Sequence, residues 1–317
     1  MDKNSKIYIA GHKGMVGSAI LKNLQSKGYA NFVFTPYPAY DLTDQTTVSN
    51  FFEKEKPQYV IDAAAKVGGI LANDTYRAQF LYENMMIQNN LIHNAHLHGV
   101  KKFLFLGSSC IYPRDCQQPI KEEYILSGLL EQTNEPYAIA KISGIKMCEN
   151  YFRQYGSNFI SIMPTNLYGP GDNYHSENSH VIPGLIKKFH EAIVKGKSFV
   201  EVWGSGKPKR EFLYVDDMAD AAIFLLENLN AISLYPLGVT HLNVGCGIDV
   251  SISELATTIS KVVGYNGNIK FNSSMPDGTP KKLLNVSRLN DMGWYHKTSL
   301  ETGLKLAYDD FKLLKLA

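Results

Sequence analysis

KIYIAGHKGMVGSAILKNL, residues Lys6 to Leu24, is the stretch on which the fold turns. Lys6 to Ala10 is a short apolar run that reads as a strand, Gly11, Gly14 and Gly17 follow at once, and Val16, Ile20, Leu21 and Leu24 then fall at helical spacing. Strand, glycine turn and helix, in that order, aim backbone N–H groups and a helix N-terminus at a dinucleotide's pyrophosphate. The glycines are spaced three and three, rather than two and three as in the older dehydrogenase fingerprint.

Outward from this unit the chain keeps alternating. Phe32 to Phe34, Tyr59 to Ile61, Lys102 to Leu106 and Phe159 to Met163 read as strands. Between them lie a helix after an Asp44 cap, with Val48, Phe51 and Phe52, a helix over Tyr76 to His98, and a long one over Pro136 to Tyr155 with Pro136 in its first turn. This rhythm predicts an α/β fold: a doubly wound parallel Rossmann sheet whose ligand sits at the carboxyl ends of the strands. After Pro170 a loop rich in Gly, Asn, Ser and His opens a different region, with helices over Ile182 to Val194, Val215 to Leu226 and Ser253 to Val263 and a turn at Asp277 to Pro280. The expected partition is a dinucleotide-binding domain over 1–170, with a later contribution from 211–247, and a smaller α+β substrate domain over 171–210 and 248–317. The cleft between them is the expected site.

Composition narrows the class. With 44% hydrophobic and 20% charged residues the chain is an ordinary globular protein, which excludes disordered and fibrous classes. A formal charge of +2 with dispersed lysines and arginines offers no reservoir for nucleic acid. No apolar run approaches the roughly 18 residues of a membrane span. Cys110, Cys116, Cys148 and Cys246 show neither C-x-x-C pairing nor metal-ligand spacing, so free thiols, a reducing cytoplasm and no metal are expected. The polar start running straight into a strand is expected to carry no leader.

The second strand should end beside the adenosine ribose. Thr35, Pro36 and Tyr37 stand there, with no acid until Asp41. An acid at that tip would bind a 2′-hydroxyl and repel a 2′-phosphate, so its absence permits NADP, with Lys13 as the nearby cation. Asp62, Ala63, Ala64 and Ala65 after the third strand are small enough to admit the cofactor backbone. Leu106, Gly107, Ser108 and Ser109 do the same after the fourth, and Pro164, Thr165, Asn166 and Leu167 after the fifth meet the nicotinamide end.

Tyr137 and Lys141 are four residues apart on a predicted helix and share one face. Free tyrosine titrates near pH ~10, and proton transfer near neutrality asks for a shift of about 3 units, or roughly 4 kcal/mol. An ammonium about 4 Å away supplies that at an effective dielectric of ~20. Ser108 adds a hydroxyl for the same carbonyl oxygen. Cys110, two residues on, has no part in simple hydride transfer and points to a second reaction.

These residues resemble the extended short-chain dehydrogenase/reductases that act on nucleotide sugars. The strings GHKGMVGSAI, AAAKVGGI, GSSCIYP, NEPYAIAKISGIKMCE, MPTNLYGP, NSHVIP, WGSGKPKREF and DGTPKKLL, from residue 11 to about 284, are similar to the bifunctional branch of that family. Its members epimerise GDP-4-keto-6-deoxy-D-mannose at C3 and C5 and reduce it at C4 with NADPH, giving GDP-L-fucose. The resemblance implies Cys110 as base, His180 as acid, Ser108 and Tyr137 on the C4 oxygen, and Lys141 on Tyr137 and the nicotinamide ribose. It implies cofactor contacts from Gly11, His12, Lys13, Gly14, Met15, Val16, Gly17, Asp41, Leu42 and His180 besides the strand-end residues above. For the GDP-sugar it implies Ser108, Asn166, Lys188, Trp203, Arg210, Asp277 and Lys282. It also implies a homodimer, with the two long helices as candidate faces. Two departures stand out: Lys187 and Lys188 replace an arginine expected for substrate phosphate, and no arginine follows the second strand. A C4-only reductase of a related GDP-4-keto sugar such as a heptose is the enzymatic alternative, and a non-enzymatic dinucleotide sensor the other.

Overall fold

The computed structural model describes residues 1–317 apart from 36–39, 176–178, 276 and 317. The elements run β1 (Ile7–Ala10), α1 (Met15–Ser26), β2 (Phe32–Val33), α2 (Gln45–Glu55), β3 (Tyr59–Asp62), α3 (Ile70–Thr75), α4 (Arg77–Leu97), β4 (Lys102–Leu106) and α5 (Glu135–Tyr155). They continue β5 (Phe159–Pro164), β6 (Asn166–Tyr168), α6 (Val181–Val194), β7 (Phe199–Trp203), β8 (Lys209–Tyr214), α7 (Val215–Asn228) and β9 (Leu242–Val244). The chain ends with β10 (Asp249–Ser251), α8 (Ile252–Val263), β11 (Asn268–Asn272), β12 (Lys281–Lys282), α9 (Ser287–Asp291) and α10 (Leu300–Leu316).

The main sheet is parallel, in the order β2-β1-β3-β4-β5-β9. Order reverses at β1, the crevice position of doubly wound folds. Every residue of β1, β4 and β5 is buried, as expected of strands covered on both faces. One core layer joins Ile9, Ile61 and Leu104 to α1 and α7, and the other joins Tyr8, Val60 and Phe103 to α2, α4 and α5. A third core, with Leu185, Phe189, Leu255 and Phe311, lies among α6, α8, α10, β7 and β8. Leu289 and Trp294 pack in the first of these cores, not the third.

Local signals placed the major elements to within one or two residues. Asp44 caps α2 by accepting from the Thr47 N–H at 2.6 Å, and Ser251 with Glu254 forms a reciprocal capping box on α8. Strands β6 and β10 to β12, of two to five residues, have too little length to show a period. Helix α10 was also not among the expected elements, although Leu304, Ala307 and Phe311 stand at helical spacing and are buried.

Candidate active site

The turn from β1 into α1 is built by close backbone approach. Gly11 has φ +77°, and a Cβ there would lie 2.6 Å from the Ala63 carbonyl oxygen. Only glycine fits both demands. Gly14 donates its N–H to the Gly11 carbonyl at 3.0 Å and forms the N-cap of α1 without a side-chain cap. A Cβ on Gly17 would strike the Gly11 backbone, so helix and turn interlock. The first-turn N–H groups of α1 therefore face outward beside a gap sized for backbone, which is the cradle a pyrophosphate needs.

Around the cradle, the His12 ring lies 4.4 Å from that of Phe34, and burial, helped by Lys13, lowers its pKa. Lys13 is exposed and makes no ion pair among the described residues. Thr35 does not face a ligand: it is buried, with its hydroxyl 2.9 Å from that of Tyr8. Pro36 and Tyr37 lie outside the described residues. Asp41 accepts from the Thr43 N–H and hydroxyl, and the Leu42 carbonyl accepts from Asn90 at 2.9 Å.

At the carboxyl ends of the strands opens a cavity of about 270 Å³. Its walls include Met15, Val16, Ala63, Ala65, Leu106, Gly107, Ser108, Ser109, Tyr137, Lys141, Pro164, Thr165, Asn166, Leu167 and His180. Gly11, His12, Lys13, Gly14, Gly17, Asp41, Leu42 and Ala64 are not part of its lining. Tyr137 and Lys141 arrive together on α5. A Cβ on Gly144, one turn on from Lys141, would clash with the Phe105 ring, so α5 closes directly on β4. Gln88 of α4 donates to the Ala140 carbonyl at 2.6 Å and to Ser143, fixing the helix from its other side.

Lys141 is 3% exposed and donates to the Leu106 carbonyl at 2.9 Å, its ammonium 4.8 Å from the Phe105 ring centroid and 5.9 Å from that of Tyr137. The expected tuning is not what the geometry gives. Burial pushes the Tyr137 hydroxyl well above its ordinary value, and nearby Cys110 and Asp62 push it the same way. Lys141 is aimed at the Leu106 carbonyl, and burial lowers its own pKa against the pull of Asp62.

Asp62 is the residue the sequence reading underrated. The sequence predicts only a small residue there, whereas Asp62 closes β3 fully buried in the cavity wall. One carboxylate oxygen accepts from the Ala64 N–H at 3.1 Å, and the other has no hydrogen-bond partner. Burial lifts its pKa to about 6 against the opposing pull of Lys141. Asn73 and Phe80, from the α3 and α4 segment, also line the cavity unforeseen.

Cys110 follows Ser108 into a one-turn 3-10 helix, its N–H 3.5 Å from the Ser108 hydroxyl oxygen. It is 5% exposed and lines an adjoining crevice with Arg114, Glu131 and Lys282, not the main cavity. Burial pushes its thiol above the ordinary value, against the opposing pull of Lys282 and then of Ser108 and Lys141. His180 is the exposed N-cap of α6 at the cavity mouth, its pKa lowered by desolvation.

The remaining polar residues form an outer group. The Lys188 ammonium lies 4.9 Å over the Trp203 ring and donates to the Glu201 carbonyl. Asp277 accepts from the Ser205 N–H and hydroxyl at 2.6 and 2.7 Å, which holds its carboxyl below the usual range. Arg210 pairs in register with Lys282 across β8 and β12. Lys187 is turned to the Tyr174 carbonyl. Among the described residues no group of three or more His, Cys, Asp or Glu side chains is placed to hold a metal ion, and no helix is long and apolar enough to cross a membrane.

A glycine cradle at the first crossover, with a serine, a tyrosine and a lysine on one strand-end cavity, defines a short-chain dehydrogenase/reductase of the extended kind. The model of the NAD dependent epimerase/dehydratase family matches residues 7–245. GDP-L-fucose synthase of Escherichia coli (strain K12) is 55% identical over 309 residues, covering 96% of this chain and 96% of that protein. GDP-L-fucose synthase 1 of Arabidopsis thaliana is 54% identical over 308 residues, covering 97% and 93%. A solved GDP-mannoheptose C4 reductase from Campylobacter jejuni with NADP bound is 41% identical, covers 98% of this chain and 99% of its own, and superposes with a TM-score of 0.90. The chain belongs to the NAD dependent epimerase/dehydratase family, in its GDP-L-fucose synthase branch.

Proposed function

We propose that this protein is an NADP(H)-dependent epimerase-reductase that converts GDP-4-keto-6-deoxy-D-mannose to GDP-L-fucose. The observation that carries the reading is the convergence of Ser108, Tyr137 and Lys141 on one cavity with Cys110 directly behind Ser108. A C4 ketone acidifies the hydrogens on C3 and C5. Cys110 removes them, His180 returns a proton on the opposite face, and Ser108 and Tyr137 hold the C4 oxygen as negative charge develops there. The same two hydroxyls serve the reduction, in which Tyr137 delivers a proton to that oxygen. NADPH, when bound, supplies the hydride. The glycine cradle at Gly11 fits its pyrophosphate, Met15 and Val16 flank the entry, and Lys141 keeps donors for the nicotinamide ribose beyond the one given to Leu106.

The GDP part is held by Trp203 through its exposed aromatic face, Asp277 through its carboxylate and Lys188, Arg210 and Lys282 through charge. Residues 1–170 with most of 211–247, joined by Leu289 and Trp294, form the dinucleotide half, and the third core, which takes in Tyr168, Phe212 and Tyr214, supports a substrate half. A cytoplasmic homodimer feeding surface polysaccharide fits this reading, with Tyr82, Leu97 and Tyr155 as exposed apolar positions on α4 and α5. A C4-only heptose reductase is favoured less, because its solved relative stands at 41% identity against 55% and 54%.

Product identification by NMR, from GDP-4-keto-6-deoxy-D-mannose with NADPH and with NADH, tests the proposal. Expected are GDP-L-fucose with NADPH and, with no cofactor, solvent deuterium entering C3 and C5. Reduced product without exchange overturns the epimerase half, and no product with any GDP-4-keto sugar overturns the whole.

A further inference from the structure

A buried thiol is a poor base. Cys110 is buried, and it lines a crevice that Lys282 also lines. Lys282 is half-buried, and its ammonium makes no hydrogen bond or ion pair among the described residues, whereas neighbouring Lys281 pairs with Asp249 at 3.2 Å. A strap of hydrogen bonds holds it against the loop that leaves Cys110. Ile120 donates its N–H to the Leu283 carbonyl at 2.7 Å, Asn285 donates to the Ile120 carbonyl at 2.8 Å, and the Leu283 N–H reaches the Gln118 side chain at 2.9 Å. An ammonium and a thiol, each costly to ionise alone in such a place, share one crevice.

We infer that Lys282 is the positioning residue that makes Cys110 a base, by holding its thiolate as an ion pair. This rests on the epimerase reading above for its purpose and goes beyond Lys282 as a substrate contact. On ionisation the thiol proton leaves to solvent. In turnover the thiolate takes a proton from C3 or C5 and becomes a thiol, the C–H electron pair moves onto the C4 oxygen as an enolate, and His180 returns a proton to carbon. Lys282 stays charged throughout.

The other groups around the thiol do not replace it. Lys141 and Tyr137 face it from α5, but Lys141 is bonded to Leu106 and drawn to Asp62. Ser108 contributes from its own turn, Glu131 is engaged by Arg114 at 3.5 Å, and Arg210 and Cys116 act on Lys282.

The test measures ultraviolet thiolate absorbance against pH on the full-length protein without substrate, as the difference from Cys110→Ser, which removes the signals of Cys116, Cys148 and Cys246. Wild type is expected to titrate below a free thiol's ~8.5, Lys282→Met to titrate about one unit or more higher, and Lys282→Arg to restore the wild-type inflection. Deuterium exchange at C3 and C5 near neutral pH should fall about tenfold in the Met variant, in kcat. A wild-type inflection at or above the free-thiol value overturns the inference whether or not the variants fold. So does a folded Met variant, checked by circular dichroism, with an unmoved inflection. Should the thiol titrate as expected while no deuterium enters the substrate, the ion pair stands and the epimerase reading falls.

Discussion

The two halves of the site are built to different tolerances. Ser108 follows a five-residue buried strand by two residues, and Tyr137 and Lys141 stand on a 21-residue helix, with strand and helix pressed together at Gly144 and Phe105 and the helix pinned by Gln88. Cys110, Lys282, Asp277 and Trp203 come from a single turn of 3-10 helix, a two-residue strand, a loop and an exposed strand end. Carbonyl reduction fixes donor, acceptor and hydride path within fractions of an ångström, which demands welded elements. Nucleotide recognition, on the proposed reading, is spread over rim charges, each weak in water and replaceable by its neighbours.

The hardest blow to that comparison is Tyr137→Phe. Removing the proton donor should lower C4 reduction by about 10²- to 10⁴-fold. Deuterium exchange at C3 and C5 should fall much less, because Ser108 still holds the oxygen and Cys110 stands on the other half. NADPH absorbance reads the first and NMR the second. Equal losses in both would mean that the two halves work as one unit.

Asp62 tests the rigid half alone. Its carboxyl is lifted from 3.8 to about 6, so the folded chain keeps a proton there that the unfolded chain has released. Folding stability therefore falls as pH rises through that window, with no penalty below the unfolded value and the full penalty above about pH 6. About two units correspond to roughly 3 kcal/mol, so Asp62→Asn should stabilise the fold near pH 7 by up to about that amount and lose the gain below about pH 4. Reduction should fall in the same variant, because Asp62 favours the charged form of Lys141. Denaturant melts across pH check the first effect, and a gain independent of pH would show that Asp62 is not an ionised carboxylate in the wall.

What could be read from residue order follows the same division. The welded half was legible because local rules carry it: Asp44 caps its helix, Lys102 to Leu106 is apolar throughout, and Tyr137 and Lys141 must share a face. Asp62 was not, because whether a strand-end carboxyl turns inward depends on how β3 sits between β1 and β4. The direction of the Lys141 ammonium was hidden for the same reason, being set by the Leu106 carbonyl across a helix–strand contact. Residues of the outer half were singled out by their motifs, but their partners were not: the crevice that joins Cys110 to Lys282 exists only once β12 has paired with β8.

Lys188 should give the smallest effect and the sharpest view of the rim. Its ammonium lies over the exposed Trp203 ring, an arrangement worth about 0.5–1 kcal/mol in water. Lys188→Met should therefore raise the KM for the GDP-sugar by about two- to fivefold and leave kcat unchanged, because nothing at the C4 oxygen moves. Added salt should narrow the gap between variant and wild type, since exposed charges are screened within about 10 Å at ~0.1 M. A fall in kcat would tie this exposed corner to the reacting carbon and erase the difference in tolerance between the halves. A salt-independent KM change would instead make Lys188 a packing residue beneath the indole, its charge irrelevant to the substrate.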